Sequence, residues 1–191
     1  MPRVLLVRHA SSVPPAAGGP DEYKRPLSAE GLEQAEALIA ELARQRPVRI
    51  LSSPYLRAVQ TVLPTATVCG LQVEPRDDLR EWASGIDPTP DWERHYRYCW
   101  QWPAWSPPGG ETQVALTERA VAAVRRLATE TSSYGVAVVA SHGTWIARAL
   151  HGLGLSVDVD FWLDMPMPAV YDVALENGQI VAVAGPGIYP H

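Results

Sequence analysis

Two histidines and two arginines sit where their side chains could handle a phosphate. Arg8-His9 follows the apolar run Val4–Val7 directly. Arg57 lies in Ser52-Ser53-Pro54-Tyr55-Leu56-Arg57, near the start of a helix that follows a second apolar run. His142 lies in Ala140-Ser141-His142-Gly143-Thr144, after a third. A neutral imidazole carries a lone pair near pH 7 and can attack phosphorus. Guanidinium forks bind phosphate oxygens in bidentate fashion. Helix starts such as those at Arg57 and at Gly143-Thr144 offer free N–H groups and a positive dipole end, and Gly143 lets backbone approach a ligand closely. Brought into one crevice, these groups supply a nucleophile and stabilise charge spread over phosphoryl oxygens.

The elements that would position them are legible. Val4–Val7 and Gly135–Ala140 read as buried strands, being short, apolar and rich in β-branched residues. Val48–Ser52 and Leu71–Glu74 read as further strands. Ser28 can cap a helix whose apolar face is Leu32, Ala35, Leu38, Ile39 and Leu42, closed by Pro47. A second helix is expected from about Pro54 towards Leu63, a third over about Glu111–Thr131 and a fourth over Thr144–Leu153, with His151 near its end. Ala10–Tyr23, rich in Ser, Pro and Gly, reads as a loop, and Asn177-Gly178 as a hairpin turn between Tyr171–Leu175 and Ile180–Val183. Strands alternating with helices predict an α/β fold, a three-layer sandwich with a mostly parallel central sheet and an antiparallel edge from the hairpin. In such sheets ligands gather at the carboxyl ends of strands, where His9 and His142 both fall.

The chain has 191 residues, 47% hydrophobic and 19% charged, which predicts one globular domain over residues 1–191. A formal charge of −5 argues against nucleic acid as a partner, because backbone phosphates demand a basic stripe. No apolar run is long enough to span a bilayer, and the N-terminus lacks a signal-peptide pattern, so the expectation is a cytoplasmic protein with no membrane association. Cys69 and Cys99 have no metal-ligand spacing and read as free thiols, with no metal site.

The motifs together resemble the histidine phosphatase superfamily, with its phosphoglycerate-mutase-like fold. Arg8-His9, Ser52-Ser53-Pro54-x-x-Arg57-Ala58-x-Gln60-Thr61 and Ser141-His142-Gly143 match in order, and Arg25-Pro26-Leu27-Ser28 with Gln34-Ala35 resembles the stretch after the first motif in bacterial members. The resemblance runs from Val4 to about Leu150. It implies a metal- and cofactor-independent phosphomonoesterase acting on a small phosphorylated metabolite through a phosphohistidine on His9. Arg8, Arg57 and His142 would bind the phosphoryl group, with Ser12, Gly143 and Thr144 beside it. Glu81 would protonate the leaving oxygen; Leu79 and Trp82 flank it and would help it keep a proton. Glu74, Asp77 and Asp78 lie close enough in sequence to take that part instead. The Gly110-Glu111-Thr112 segment resembles a structural helix start of the family.

The chain also departs from the family pattern. Ala10 replaces a commoner glycine, and Pro15 stands where an asparagine is usual, so one phosphate donor is lost or comes from elsewhere. The Arg-Tyr-Tyr-Gly segment of mutases is missing, which favours hydrolysis over a mutase-type phosphotransferase. The same motifs are compatible with a protein phosphohistidine phosphatase and with a non-catalytic binding domain on this fold. Residues 82–110 are rich in proline and in tryptophan, and form a cap-like insertion. Its aromatics either pack as a small satellite core or, as Trp82, Trp100 and Trp102, line a substrate pocket.

Overall fold

A strand that is apolar throughout needs helices on both of its faces, and this requirement organises the chain. In a computed structural model, described for residues 1–16, 19–131 and 135–189, β1 (Arg3–Arg8) and β4 (Val136–Ser141) are the central strands, and β4 is buried along its whole length. The order across the sheet is β3-β2-β4-β1-β5-β6, with β2 at Arg49–Ser52, β3 at Val73–Pro75, β5 at Ala169–Glu176 and β6 at Gln179–Ala184. The first four strands run parallel, while β5 pairs antiparallel with β1 and β6 antiparallel with β5. This is the expected α/β sandwich, with the hairpin strand β6 at the antiparallel edge. Asn177 (φ 52°) and Gly178 (φ 75°) turn that hairpin with both central residues at positive φ.

Helices α1 (Ala29–Arg44) and α2 (Leu56–Cys69) cover one face. Leu38, Leu42, Ala58, Val62 and Ala66 pack there on Leu5, Val7, Ile50 and Val138. Helices α4 (Gln113–Glu130) and α5 (Gly143–Gly152) cover the other, where Leu116, Val124, Leu127, Ile146 and Leu150 meet Val4, Leu6, Leu51 and Val139. Each such leucine or isoleucine contributes about 1.5–3 kcal/mol by leaving water. Between the two layers the chain crosses β1→β2 in one direction and β4→β5 in the other. The ends of β1 and β4 therefore form a topological switch point. Among the described residues no helix is long and apolar enough to cross a membrane.

Several expectations need correction. Ser28 caps α1, its hydroxyl accepting from the Gly31 N–H at 3.1 Å, but Leu32 is exposed and the buried stripe is Gly31, Ala35, Leu38 and Leu42. The stripe begins at Gly31 because the Ser11 backbone lies against it. A Cβ at Gly31 would stand 1.9 Å from the Ser11 carbonyl oxygen. Helix α2 starts two residues after Pro54 and continues through Pro64 to Cys69. The burial of Ala58, Val62, Thr65 and Ala66 against the sheet outweighs the one backbone bond that Pro64 cannot make. The stretch 82–110 holds a helix, α3 (Trp92–Gln101), and a short α6 (Val159–Leu163) follows α5. Of the loop Ala10–Tyr23, Ala17 and Gly18 lie outside the described residues; Ser12 makes an antiparallel bridge with Leu27.

Gly31→Ala should cost about 3 kcal/mol of stability, the upper end of what overpacking costs, because the Ser11 backbone cannot move aside as a side chain can. Gly70 (φ 67°), whose Cβ position is open, should cost about 1 kcal/mol on substitution by alanine, from backbone strain alone. Urea unfolding of both variants checks this, and equal losses would contradict the close Gly31–Ser11 approach.

Candidate active site

Parallel pairing of β1 and β4 sets Arg8 opposite Ser141, so the next residue of each strand, His9 and His142, leaves the sheet at the same point. The His9 N–H donates to the Ser141 carbonyl at 3.1 Å. The two rings meet edge to face with centroids 5.2 Å apart. From β2, paired to β4 on its other side, Ser53 brings its hydroxyl to 2.8 Å from His142 Nε2, and α2 brings Arg57.

Two contacts choose the same tautomer for His9. Its Nδ1 lies 2.7 Å from the Ala10 carbonyl, which can only accept, so Nδ1 carries the proton. Nε2 in turn accepts from Arg57 Nε–H at 3.2 Å. Burial first, and the Arg57 charge second, push the His9 imidazole down to about 3, so it stays neutral at neutral pH. His142, fully buried and close to Arg57 and His9, is lowered for the same reasons. The Ser53 hydroxyl accepts from the Tyr55 N–H at 3.3 Å and is free to donate to His142 Nε2. That arrangement leaves a proton on His142 Nδ1, which has no partner among the described residues.

Arg57 is 2% exposed. One of its terminal nitrogens donates to the Glu22 carbonyl at 2.8 Å, and the other pairs with the Glu22 carboxylate at 2.9 Å. That carboxylate also takes a bidentate fork from Arg25, at 2.9 and 3.0 Å. Burial opposes the Glu22 charge, yet the two arginines hold its carboxyl below the ordinary range. Arg25 further donates to Ser12 Oγ at 2.7 Å and to the Val13 carbonyl at 2.8 Å. Arg8 lies on the opposite face of β1, donating one terminal nitrogen to the Met165 carbonyl. Its Nε is buried without a partner among the described residues, and so is Nε1 of Trp162. A Cβ at Gly143 would stand 3.0 Å from that Trp162 nitrogen and 3.1 Å from Arg8 Nε, so the absence of a side chain at 143 admits Arg8 and Trp162 rather than a ligand alone.

Glu81 reaches the start of α5. Its carboxylate accepts from the N–H of Trp82 at 2.8 Å, of Trp145 at 3.2 Å and of Thr144 at 3.4 Å. These bonds, with Arg57 and Arg8, favour the ionised form, but desolvation outweighs them and the carboxyl is raised above its ordinary value. The Thr144 N–H, expected at a phosphate, is thus engaged by Glu81.

The structure brings together Arg8, His9, Arg57, Glu81, His142, Gly143 and Thr144, and sets Ser12 beside them through Arg25. It separates the three tryptophans. Trp82 is buried, its indole donating to the Glu111 carbonyl at 2.7 Å. Trp100 lies over the Arg148 guanidinium at 4.9 Å, more than a helical turn along α5 from Gly143. Trp102 ends α3 and is 54% exposed. Among the aromatics, Tyr96 stacks on Trp162 with centroids 4.9 Å apart and meets Trp82 edge to face, while Tyr55 meets His142 edge to face at 5.0 Å. The sequence reasoning missed Tyr55, Tyr96, Trp162, Glu22 and Arg25. Arg25 carried a signal in its place in the Arg-Pro-Leu-Ser match, Tyr55 in its place inside the Ser52–Arg57 motif and Tyr96 in the aromatic stretch; Glu22 and Trp162 carried none. Pro15, at the place of the missing asparagine, is exposed. Among the described residues no group of three or more His, Cys, Asp or Glu side chains is placed to hold a metal ion.

Comparison with known proteins adds to this picture. The model of the histidine phosphatase superfamily (branch 1) matches residues 4–184. A glucosyl-3-phosphoglycerate phosphatase from Mycolicibacterium vanbaalenii is 31% identical over 179 residues, covering 84% of this chain and 77% of that protein. A metal-independent phosphoserine phosphatase from Arabidopsis thaliana is 30% identical over 161 residues, covering 78% and 66%. In fold, Bacillus stearothermophilus YhfR superposes with a TM-score of 0.77 at 18% identity, covering 100% of this chain and 98% of that one. A mycobacterial glucosyl-3-phosphoglycerate phosphatase solved with VO3 superposes with a TM-score of 0.71 at 23% identity, covering 90% and 92%.

A histidine held neutral in the folded state gains no proton until pH nears 3, whereas the unfolded chain protonates it near 6.5. Between those limits the unfolded state binds more protons, so stability falls as pH falls. The melting temperature should therefore drop on acidification below about pH 6.5, and His9→Gln should flatten that drop. Thermal melts from pH 7 to pH 4 measure it, and an unchanged slope in the variant would contradict a neutral buried His9.

Proposed function

This chain belongs to the histidine phosphatase superfamily, branch 1, and from that membership and the geometry of the crevice we propose that it hydrolyses a small phosphorylated metabolite through a phosphohistidine on His9. The observation that carries the reading is the tautomer of His9. With Nδ1–H tied to the Ala10 carbonyl, the only lone pair on the ring is at Nε2, and it faces Arg57. An arriving phosphoryl group takes the Arg57 N–H from the ring nitrogen onto one of its oxygens, which frees Nε2 to attack in line. The donors that lack a partner among the described residues, Arg8 Nε, Trp162 Nε1 and His142 Nδ1, suit an anion rich in acceptors.

Departure of the alcohol needs a proton, and the raised carboxyl of Glu81 is suited to hold one. With a water as the second nucleophile, the same carboxylate takes a proton back as the phosphohistidine is hydrolysed. The names of both sequence relatives support a metabolite ester as substrate, and a site built from arginines supports metal-independent turnover. The free thiols Cys69 and Cys99 support a reducing, cytoplasmic setting.

His9→Ala should lose nearly all turnover, and rapid alkaline quench of the wild type with labelled substrate should trap a base-stable label that is lost on acid treatment. A label on serine, or substantial activity in His9→Ala, would sink the covalent histidine step. Glu81→Gln should slow an alkyl phosphate by about 10²–10⁴-fold and a nitrophenyl phosphate, whose leaving group needs no proton, far less. Equal losses on both would remove Glu81 from the role of acid.

A further inference from the structure

Between β3 and α3 the chain carries Glu81 on a segment with little regular structure, the single 3-10 turn Asp77–Leu79 being its only element. Backbone in such a segment must find its hydrogen bonds elsewhere. Four consecutive carbonyls, from Asp78 to Glu81, are taken by side chains. The Leu79 carbonyl accepts from Ser141 Oγ at 2.8 Å, and the Asp78 carbonyl from the Trp145 indole at 2.8 Å. The rest fall to one residue of α4. Arg119 donates through Nη1 to the Asp78 and Arg80 carbonyls at 3.0 and 2.9 Å, and through Nη2 to the Glu81 carbonyl at 3.4 Å. Its Nε and Nη2 also form a fork with the Glu111 carboxylate, at 2.9 and 2.8 Å. A guanidinium has five N–H donors, and here each has an acceptor.

We infer that Arg119, clamped by Glu111, is a positioning residue for the Glu81 carboxyl, an inference that rests on the reading of Glu81 as the proposed acid. Glu81 is held at two ends. Its carboxylate meets the Thr144 and Trp145 amides of α5, and its main chain meets the Arg119 fork from α4. The amides set the direction of the carboxyl, and the fork sets the distance from which it reaches. Arg119 does not touch the phosphoryl site, and its hydrogen bonds to the backbone of this segment reach turnover through Glu81; a lysine in its place keeps the charge that also acts on His142. Glu111 fixes the plane of the guanidinium by its bidentate contact and balances its charge beside the acid. A lysine at 119 keeps the charge but offers a point donor, which cannot span three carbonyls and a carboxylate at once.

The test compares wild type, Arg119→Lys, Glu81→Gln and the double variant on an alkyl phosphate and on 4-nitrophenyl phosphate, with vanadate inhibition reading the phosphate pocket. A misplacement on the scale of 1 Å costs up to about 10²-fold, so Arg119→Lys should lower the alkyl-to-aryl ratio of kcat by about 10- to 100-fold. The vanadate inhibition constant should stay within about threefold, and in the Glu81→Gln background Arg119→Lys should change the ratio by less than about twofold, because no acid is left to place. If Arg119→Lys lowers both substrates in proportion while Glu81→Gln still discriminates, or if it changes the ratio tenfold without Glu81, the positioning role is overturned. If Glu81→Gln itself fails to discriminate, the reading of Glu81 falls and takes this inference with it. Should Arg119→Lys not fold, Glu111→Gln, which releases the fork and leaves Arg119 in place, carries the test by the same criteria with a ratio change of about 3- to 10-fold.

Discussion

The pairing of β1 with β4 is the constraint on which the site depends. Parallel strands in one register deliver the residues after Arg8 and Ser141 to one place, and those residues are His9 and His142. The register is held by apolar burial on both faces of the sheet. A slip of one residue would turn Val4 and Leu6 from the α4–α5 side to the α1–α2 side and would carry Arg8 and His9 with them. The same alternation explains why Arg8 and His9, adjacent in sequence, approach the crevice from opposite faces of β1. The glycine at 143 then lets Arg8 lie against the start of α5, and the glycine at 31 lets the loop after His9 lie on α1.

Around that junction charge is sorted by solvent access. Burial keeps both histidines neutral, and Arg8 and Arg57 remain cations although desolvation lowers them. Two carboxylates share the neighbourhood and are driven apart. Glu22, half exposed between Arg25 and Arg57, is held low, and Glu81, desolvated against α5, is raised. A pair of acids separated in this way is suited to different tasks, one to balance charge and the other to exchange a proton. Glu22 also ties the loop after β1 to α2, so the order of that loop and the placement of Arg57 are coupled.

Much of the frame was legible because it follows local rules. The apolar runs of β1 and β4, the Ser28 cap and the Asn177-Gly178 turn each carry their signal within a few residues. Where the sequence misled, a distant contact had overridden the local preference. Leu32 looked like core, but the close approach of Ser11 rotates the buried stripe onto Gly31. Pro64 looked like an end, but sheet packing carries α2 past it. Proline-rich flanks hid α3, whose buried Cys99 and partly buried Tyr96 and Trp100 pack against the main core.

The sequence by itself determined which residues could do the chemistry, because imidazole and guanidinium groups placed directly after apolar runs or at helix starts announce themselves by type and position. It also determined that the sheet would be α/β, since hydrophobic periodicity is a property of neighbouring residues. What only the tertiary structure decided was the state and company of those groups. The tautomer of His9 depends on a carbonyl and on a guanidinium from another element. The raised carboxyl of Glu81 depends on its burial against α5, and its placement on carbonyls gripped from α4. The partner stacked on Tyr96 is Trp162, far along the chain from the tryptophan-rich stretch before α4. Desolvation and hydrogen bonding act through space, and no spacing along the chain encodes the distance between residues that only folding brings together.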